Sequence, residues 1–310
     1  MVADLAVPIA LLAGSVAGLW LGAHLFVESA VRLVRRLGLS EVAIGLTVVA
    51  VGTSLPEIAV TVEAALAGTG DVAVGNVIGS NVFNLALILG FVALFGAISI
   101  PRSLARRDGV VLFGASALAA LVLVDLRLGR LEAGVLVLAL AGYLLVLARA
   151  GEAPPTDGGG DGPFRARDPV LLIAGLGLVL VGGTVLVDAA VTLARSVGVS
   201  EWAIGATVVA AGTSTPEFAV SVLALRRGRV GVSLGNLLGS NVFNVLGVLG
   251  IAGLVRPLAI DPAALADLGW LLVVTGFVTV SLWSGHRLSR AEGGVLVGSE
   301  LTRWALGFLR

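Results

Sequence analysis

The chain has 310 residues, 57% of them hydrophobic and only 13% charged, with a formal net charge of zero. That composition excludes an ordinary soluble globular domain, and the neutral balance offers no basic surface to nucleic acid. Cysteine is absent, which excludes disulfides and thiolate metal sites.

Apolar runs long enough to cross about 30 Å of hydrocarbon recur along the whole length. They predict an all-α integral membrane protein with ten spans, at 6–27, 41–67, 71–97, 109–125, 131–148, 169–194, 201–225, 230–255, 264–283 and 292–309. The first run has no basic cluster before it and is longer than a signal-peptide core, so a retained helix is expected. The last is the most polar, holding Glu300 and Arg303. Between the fifth and sixth spans, 149–168 contains Pro154-Pro155 and Gly158-Gly159-Gly160, which is linker composition.

One stretch inside the second span occurs twice. Gly52-Thr53-Ser54-Leu55-Pro56-Glu57 returns 160 residues later as Gly212-Thr213-Ser214-Thr215-Pro216-Glu217. The same offset carries Glu41-Val42-Ala43-Ile44-Gly45 onto Glu201-Trp202-Ala203-Ile204-Gly205. It also carries Gly75-Asn76 and Gly79-Ser80-Asn81-Val82-Phe83-Asn84 onto Gly235-Asn236 and Gly239-Ser240-Asn241-Val242-Phe243-Asn244. Shared hydrophobicity cannot explain this, because Thr, Ser, Pro, Glu and Asn are the residues that repeat. The chain therefore divides into a first copy at 1–148, a linker at 149–168 and a second copy at 169–310, with the motifs at 41–90 and 201–250.

Each copy holds five spans, an odd number, so the second must enter the membrane from the opposite side as an inverted repeat. Arginine placement tests this. One set of loops has Arg32, Arg35, Arg36, Arg102, Arg106, Arg107, Arg149, Arg165, Arg167, Arg226, Arg227, Arg229, Arg287 and Arg290. The other has Arg127, Arg130, Arg195, Arg256, Arg303 and Arg310. The bias puts the first set and the linker in the cytoplasm and both termini outside the cell membrane.

Pro56 and Pro216 lie mid-span, where a missing N–H and a clash with the preceding turn break a helix. Carbonyls freed around Ala50–Thr53 and Ala210–Thr213 need protein, water or an ion. Beside them stand the Thr and Ser hydroxyls, then Glu57 and Glu217. This all-oxygen cluster suits hard cations such as Ca²⁺ or Na⁺. Ser80, Asn84, Ser240 and Asn244 add neutral oxygens from the following helices. An intramembrane carboxylate costs on the order of 2.5–3.5 kcal/mol on insertion scales and is seldom idle.

Other features point to packing. Gly75-x-x-x-Gly79 and Gly235-x-x-x-Gly239 read as close-contact surfaces. Glu41 and Glu201 follow Ser40 and Ser200 as helix-start acids. Glu28, Asp188, Glu132 and Glu292 fall near span ends. Glu63 has Leu223 as its counterpart in the repeat and so is not expected in a symmetric site. His24 and His286 are unmatched and lack metal spacing. Asp157 and Asp161 belong to a solvated tether. Asn81 and Asn241 fit a bracing role as well as a ligand role.

On these residues the sequence resembles the sodium/calcium exchanger family of the cation/calcium antiporter superfamily, in its prokaryotic form. The doubled Gly-Thr-Ser-x-Pro-Glu followed by Gly-Ser-Asn-x-x-Asn matches that family's alpha repeats. The resemblance implies ten helices in an inverted five-plus-five arrangement and counter-transport of Na⁺ and Ca²⁺ by alternating access. It makes Glu57 and Glu217 the central carboxylates, with the carbonyls and hydroxyls of Thr53 and Thr213 completing a calcium site. The Ala210 carbonyl, Ser214 and Ser80 would form an outward Na⁺ site. The Ala50 carbonyl, Ser54 and Ser240 would form its inward twin, and Asn84 and Asn244 would border the centre. Asn244 stands where potassium-dependent relatives carry Asp, which argues against K⁺ co-transport. The linker is too short for the regulatory calcium-binding domains of animal members.

Rival functions remain at this stage: proton-coupled Ca²⁺ or Na⁺-coupled Mg²⁺ antiport, a cation channel, or an intramembrane enzyme. The last is disfavoured because no His-Glu-x-x-His, Ser/His pair or cofactor motif occurs. The expected partners are the bilayer and the two ions, with no cofactor, nucleic acid or obligate protein.

Overall fold

The computed structural model describes residues 2–37, 41–95, 98–99, 104–149, 164–196, 210–262 and 264–308. Helices dominate, as they must where hydrocarbon leaves each backbone polar group only its own segment for a partner. Helix α1 (Val2–Leu37) runs ten residues past the end expected near 27. The second span is broken into α2 (Glu41–Ile44), a π-helical segment Gly45–Val49, α3 (Ala50–Thr53) and α4 (Leu55–Ala67). The third joins α5 (Gly70–Val82) and α6 (Gly90–Phe95) through a π-helical segment Phe83–Leu89. Strand β1 (Ile98–Ser99), α7 (Gly109–Val122), β2 (Arg127–Leu128) and α8 (Arg130–Arg149) complete the first copy.

The second copy opens with α9 (Asp168–Ser196). It continues from 210 with α10 (Ala210–Thr213), α11 (Thr215–Arg226), α12 (Val230–Phe243), a π-helical segment Asn244–Val248 and α13 (Leu249–Val255). Strand β3 (Leu258–Ala259), α14 (Ala264–Gly285), β4 (Arg287–Leu288) and α15 (Arg290–Phe308) follow. Among the described residues six helices are long and apolar enough to cross a membrane, and seven if the bent pair Val42–Thr53 and Leu55–Ala67 is one span. The expected spans at 109–125 and 292–309 are helical but not among those six. Residues 201–209, with Glu201, and the linker's Asp157 and Asp161 lie outside the described residues.

The 160-residue offset is written into the backbone as well as the sequence. Gly68 (φ 81°) and Gly228 (φ 70°) end corresponding helices in the left-handed conformation that glycine adopts without a Cβ penalty. Leu126 (φ 65°) and His286 (φ 47°), also counterparts, hold the same strained conformation just before β2 and β4. Strand β1 pairs antiparallel with β4, Ile98 opposite Leu288, and β2 pairs with β3, Leu128 opposite Leu258. Each ribbon is the other shifted by 160 residues, and each joins one copy to the other.

Helices α1 and α9 lie side by side in a second apolar cluster around Phe26, Val27 and Val179, which also takes in Ile44 and Val49 of the first copy and Val220 and Val232 of the second. They touch at glycines: a Cβ on Gly22 would sit 2.8 Å from the Gly175 carbonyl, and one on Gly175 would sit 2.6 Å from the Phe26 nitrogen. The larger apolar core is built from the helices of both copies that flank the broken spans. Leu131, Leu138 and Ile173 are exposed on the outer surface, the side a bilayer would cover.

Candidate ion-binding site

Both broken helices break at serine. Ser54 (φ −81°, ψ 9°) and Ser214 (φ −89°, ψ 8°) leave helical geometry in the same way, and the two parts of the second span bend by 49°. Pro56 and Pro216 therefore do not interrupt a helix, as the sequence suggested; each sits at the second position of a new one. There its missing N–H has no intrahelical partner to lose. Ile58 N donates to the Ser54 carbonyl at 3.1 Å, and Phe218 N to the Ser214 carbonyl at 3.1 Å. The Ala50 carbonyl, expected to be bared, keeps its helical bond from Ser54 N at 3.0 Å. The carbonyl that a proline at 56 deprives lies four residues back, at Gly52. The Ala50 oxygen is polar-lined all the same, accepting from Thr53 Oγ1 at 3.3 Å and Ser240 Oγ at 3.4 Å.

Glu57 and Glu217 occupy the third positions of α4 and α11, where the helix N-terminus favours negative charge. Both are 0% exposed. The two copies hold each other's acid: Ser54 Oγ donates to Glu217 Oε1 at 3.1 Å, and Ser214 Oγ donates to Glu57 Oε1 at 3.3 Å. Ser240 Oγ adds a contact to Glu217 Oε1 at 3.5 Å. The second oxygen of each carboxylate, Oε2, is buried without a hydrogen-bond partner among the described residues. So are both amide atoms of Asn84 and of Asn244. Buried polar atoms are nearly always paired, so an orphaned set repeated by symmetry marks a place for something the protein binds.

The remaining candidates surround this centre. Thr53 is fully buried, and its hydroxyl lies 3.0 Å from Asn236 Oδ1 and 3.4 Å from Ser240 Oγ. Ser80 is buried on α5, one turn before Asn84. Thr213 closes α10 immediately before Ser214, and Ala210 opens it. Two of the π-helical segments begin at or next to the motif asparagines, at Phe83 and Asn244. Wide turns of this kind are frequent at functional sites, and no sequence signal announced them. Gly235 and Gly239 pack closely, against Gly45 and Leu46 of the first copy, but the expectation fails at Gly75 and Gly79, where an added Cβ would meet nothing within 4 Å among the described residues. Among the described residues no three His, Asp or Glu side chains cluster to hold a metal. What the centre offers is two carboxylates amid hydroxyl, amide and carbonyl oxygens, a donor set for a hard cation.

Two residues escaped a role in the sequence although they repeat at 160. Asn76 Nδ2 donates to Thr61 Oγ1 at 2.9 Å and to the Glu57 carbonyl at 3.4 Å; Asn236 Nδ2 donates to Ser221 Oγ at 2.9 Å and to the Glu217 carbonyl at 3.5 Å. Their repetition alone could have flagged them. Asn81 braces the two copies, as one expectation had it, donating to the Asn241 carbonyl at 3.0 Å. Glu28 and His24 are not terminal or idle. With α1 extended, they meet Arg227 from the turn after α11, and Glu28 also pairs with Arg32 at 3.5 Å. Arg32 reaches Asp168 of α9 at 3.0 Å.

Comparison with known proteins agrees with this geometry. The family model described as "Sodium/calcium exchanger protein" matches residues 7–149 and 168–299. The chain is 36% identical over 299 residues to CaxA of Alkalimonas amylolytica, covering 92% of this chain and 93% of that one. It is 30% identical over 320 residues to the sodium/calcium exchanger MaX1 of Methanosarcina acetivorans, covering 89% and 91%. The solved structure of the sodium-calcium exchanger NCX_Mj superposes with a TM-score of 0.85 at 29% identity, over 97% of this chain and 99% of that one. The chain belongs to the sodium/calcium exchanger protein family, as a membrane antiporter of prokaryotic type and not an enzyme.

Proposed function

We propose that the protein exchanges Na⁺ for Ca²⁺ across the cell membrane by alternating access, with Glu57 and Glu217 holding the two ions in turn. The observation that carries this is the reciprocal bonding of the acids: each carboxylate is held through Oε1 by the other copy's serine, and each keeps Oε2 unpaired. Two carboxylates balance one Ca²⁺, or two Na⁺, in charge; a third Na⁺ would make the exchange electrogenic. Thr53 and Thr213 complete the calcium shell. Ser54, Ser240 and the Ala50 carbonyl form one Na⁺ site, and Ser214, Ser80 and the Ala210 carbonyl its twin. Asn84 and Asn244 border the centre. Named relatives support the ion pair, since MaX1 is a sodium/calcium exchanger and NCX_Mj was solved after soaks in Na⁺ with Ca²⁺ or Sr²⁺.

The same proposal includes ten spans in an inverted five-plus-five arrangement, at 1–148 and 169–310, with 149–168 cytoplasmic and both termini outside. The ribbons support the count. Paired strands must lie on one face of the membrane, so an even number of crossings must separate them. Ten spans place six crossings between β1 and β4 and four between β2 and β3; losing a single span from either interval would put hydrogen-bonded strands on opposite faces. The surplus of arginine on one set of loops supports the orientation.

Purified protein in liposomes, given Na⁺ and pH gradients separately, tests the ion pair. Ca²⁺ uptake should follow the Na⁺ gradient and ignore the pH gradient. Uptake driven by pH alone would defeat Na⁺ coupling, and flux that needs no counter-ion gradient would indicate a channel.

A further inference from the structure

The asparagine pair, half-buried Asn76 and fully buried Asn236, has no ion-contacting role in the proposed exchange, yet it is tied to the acids in both copies. The orientation of the Asn236 amide follows from its partners. Its Nδ2 faces the Glu217 carbonyl, at 3.5 Å, and Ser221 Oγ, at 2.9 Å. A carbonyl only accepts, so turning the amide over would set two acceptors against each other. Oδ1 is thereby committed to the other side, where Thr53 Oγ1 of the first copy lies 3.0 Å away and donates to it.

A hydroxyl has one proton and two lone pairs. To coordinate a cation it must turn lone pairs inward and give its proton to an acceptor behind it. Around Thr53 the nearest acceptor is Asn236 Oδ1; the Ala50 carbonyl is farther, at 3.3 Å, and Ser240 Oγ farther still, at 3.4 Å. Both of those, and the Glu217 carboxylate that the Thr53 hydroxyl also faces, belong to the proposed ion shell itself. Asn236 is fully buried, out of contact with bulk solvent.

We infer that Asn236 is a positioning residue that accepts the Thr53 proton, holding the Thr53 oxygen as a pure acceptor toward the cation while anchoring the start of the Glu217 helix. The chain Ser221–Asn236–Thr53 crosses from one copy to the other. It thus couples the geometry of an acid-bearing helix to a hydroxyl ligand on the opposite half. Asn76 repeats the donor half of the arrangement on Thr61 and the Glu57 carbonyl. This inference rests on Thr53 being a calcium ligand in the proposed exchange.

The test measures Ca²⁺ binding to the purified full chain by titration calorimetry, with Na⁺-driven Ca²⁺ uptake in liposomes as a second readout. Asn236→Leu, which keeps the bulk and removes the acceptor, should weaken Ca²⁺ binding about tenfold, as loss of an outer-shell partner does at other metal sites. Thr53→Val alone should weaken it comparably, and adding Asn236→Leu to Thr53→Val should cost little more. Unchanged binding in Asn236→Leu, or independent multiplying losses in the double variant, would overturn the inference. If Asn236→Leu does not fold, Ser221→Ala replaces it: a smaller loss that vanishes in the Thr53→Val background supports the relay, and a loss that persists there refutes it. Absence of Ca²⁺ binding by the unmodified protein would instead bring down the exchange proposal, and the relay with it.

Discussion

The two copies agree at their centre and part company at their rim. Ser54 and Ser214, Glu57 and Glu217, Asn76 and Asn236 make corresponding hydrogen bonds across the 160-residue offset. At the outer end of the broken helices Arg227 reaches Glu28 and His24, whereas the counterparts of these three residues are Ala67, Asp188 and Thr184. Ion pairs join α1 to the core and to α9 at one end, and nothing equivalent can form from those counterparts. A site that meets one ion from two directions, as proposed for this centre, would constrain both copies alike. A rim contact serves one end alone, so it is free to diverge.

Substitutions at the acids should break the comparison least and the protein's function most. Glu57→Gln and Glu217→Gln should each abolish Na⁺-driven Ca²⁺ uptake in liposomes while leaving a folded protein; activity surviving in one alone would show that the copies are not equivalent. Ser54→Ala and Ser214→Ala come next. Each removes a hydrogen bond to a buried carboxylate, an interaction of roughly 1.5–3 kcal/mol, so the Ca²⁺ concentration for half-maximal uptake should rise about tenfold or more. Equal shifts in the two variants would extend the central symmetry to energetics, and unequal ones would limit it to geometry.

Packing variants should act on stability and leave ion preference alone. A Cβ on Gly235 would lie 2.8 Å from the Val42 carbonyl and 2.9 Å from Gly45 Cα, both rigid backbone. Gly235→Ala should therefore cost about 1–3 kcal/mol, read as earlier thermal unfolding in detergent. The smallest effect belongs to the rim. Arg227 and Glu28 are each about a quarter exposed, at 27% and 25%, so Arg227→Gln should cost less than about 1 kcal/mol. A larger loss there would mean that the asymmetric contact, and not the shared centre, limits stability.

Much of the site was legible because repetition separates function from hydrophobicity. An apolar helix tolerates many exchanges among Leu, Val and Ile, but Thr-Ser-x-Pro-Glu and Gly-Ser-Asn-x-x-Asn survive duplication only if those polar groups are used. The same logic would have marked Asn76 and Asn236. Proline misled by two residues, because Pro56 is compatible with a kink inside a helix or with the first turn of a new one, and only backbone angles distinguish the two. The length of α1 was underestimated because Glu28, Arg32 and Arg36 look like an end to hydropathy; their charges are absorbed by Arg227, Asp168 and the Phe164 ring.

By itself the sequence determined a helical membrane chain, a duplication at 160 residues and which acids and hydroxyls are candidates, since composition, periodicity and exact repetition are properties of the string. Only the tertiary structure decided which serine serves which glutamate. Ser54 bonds Glu217 and Ser214 bonds Glu57, across copies rather than within them, because the bent helices bring each serine to the opposite acid. A partner 157 or 163 residues away leaves no trace in local pattern. Such a pairing exists once packing has paid the conformational entropy of bringing the two halves together.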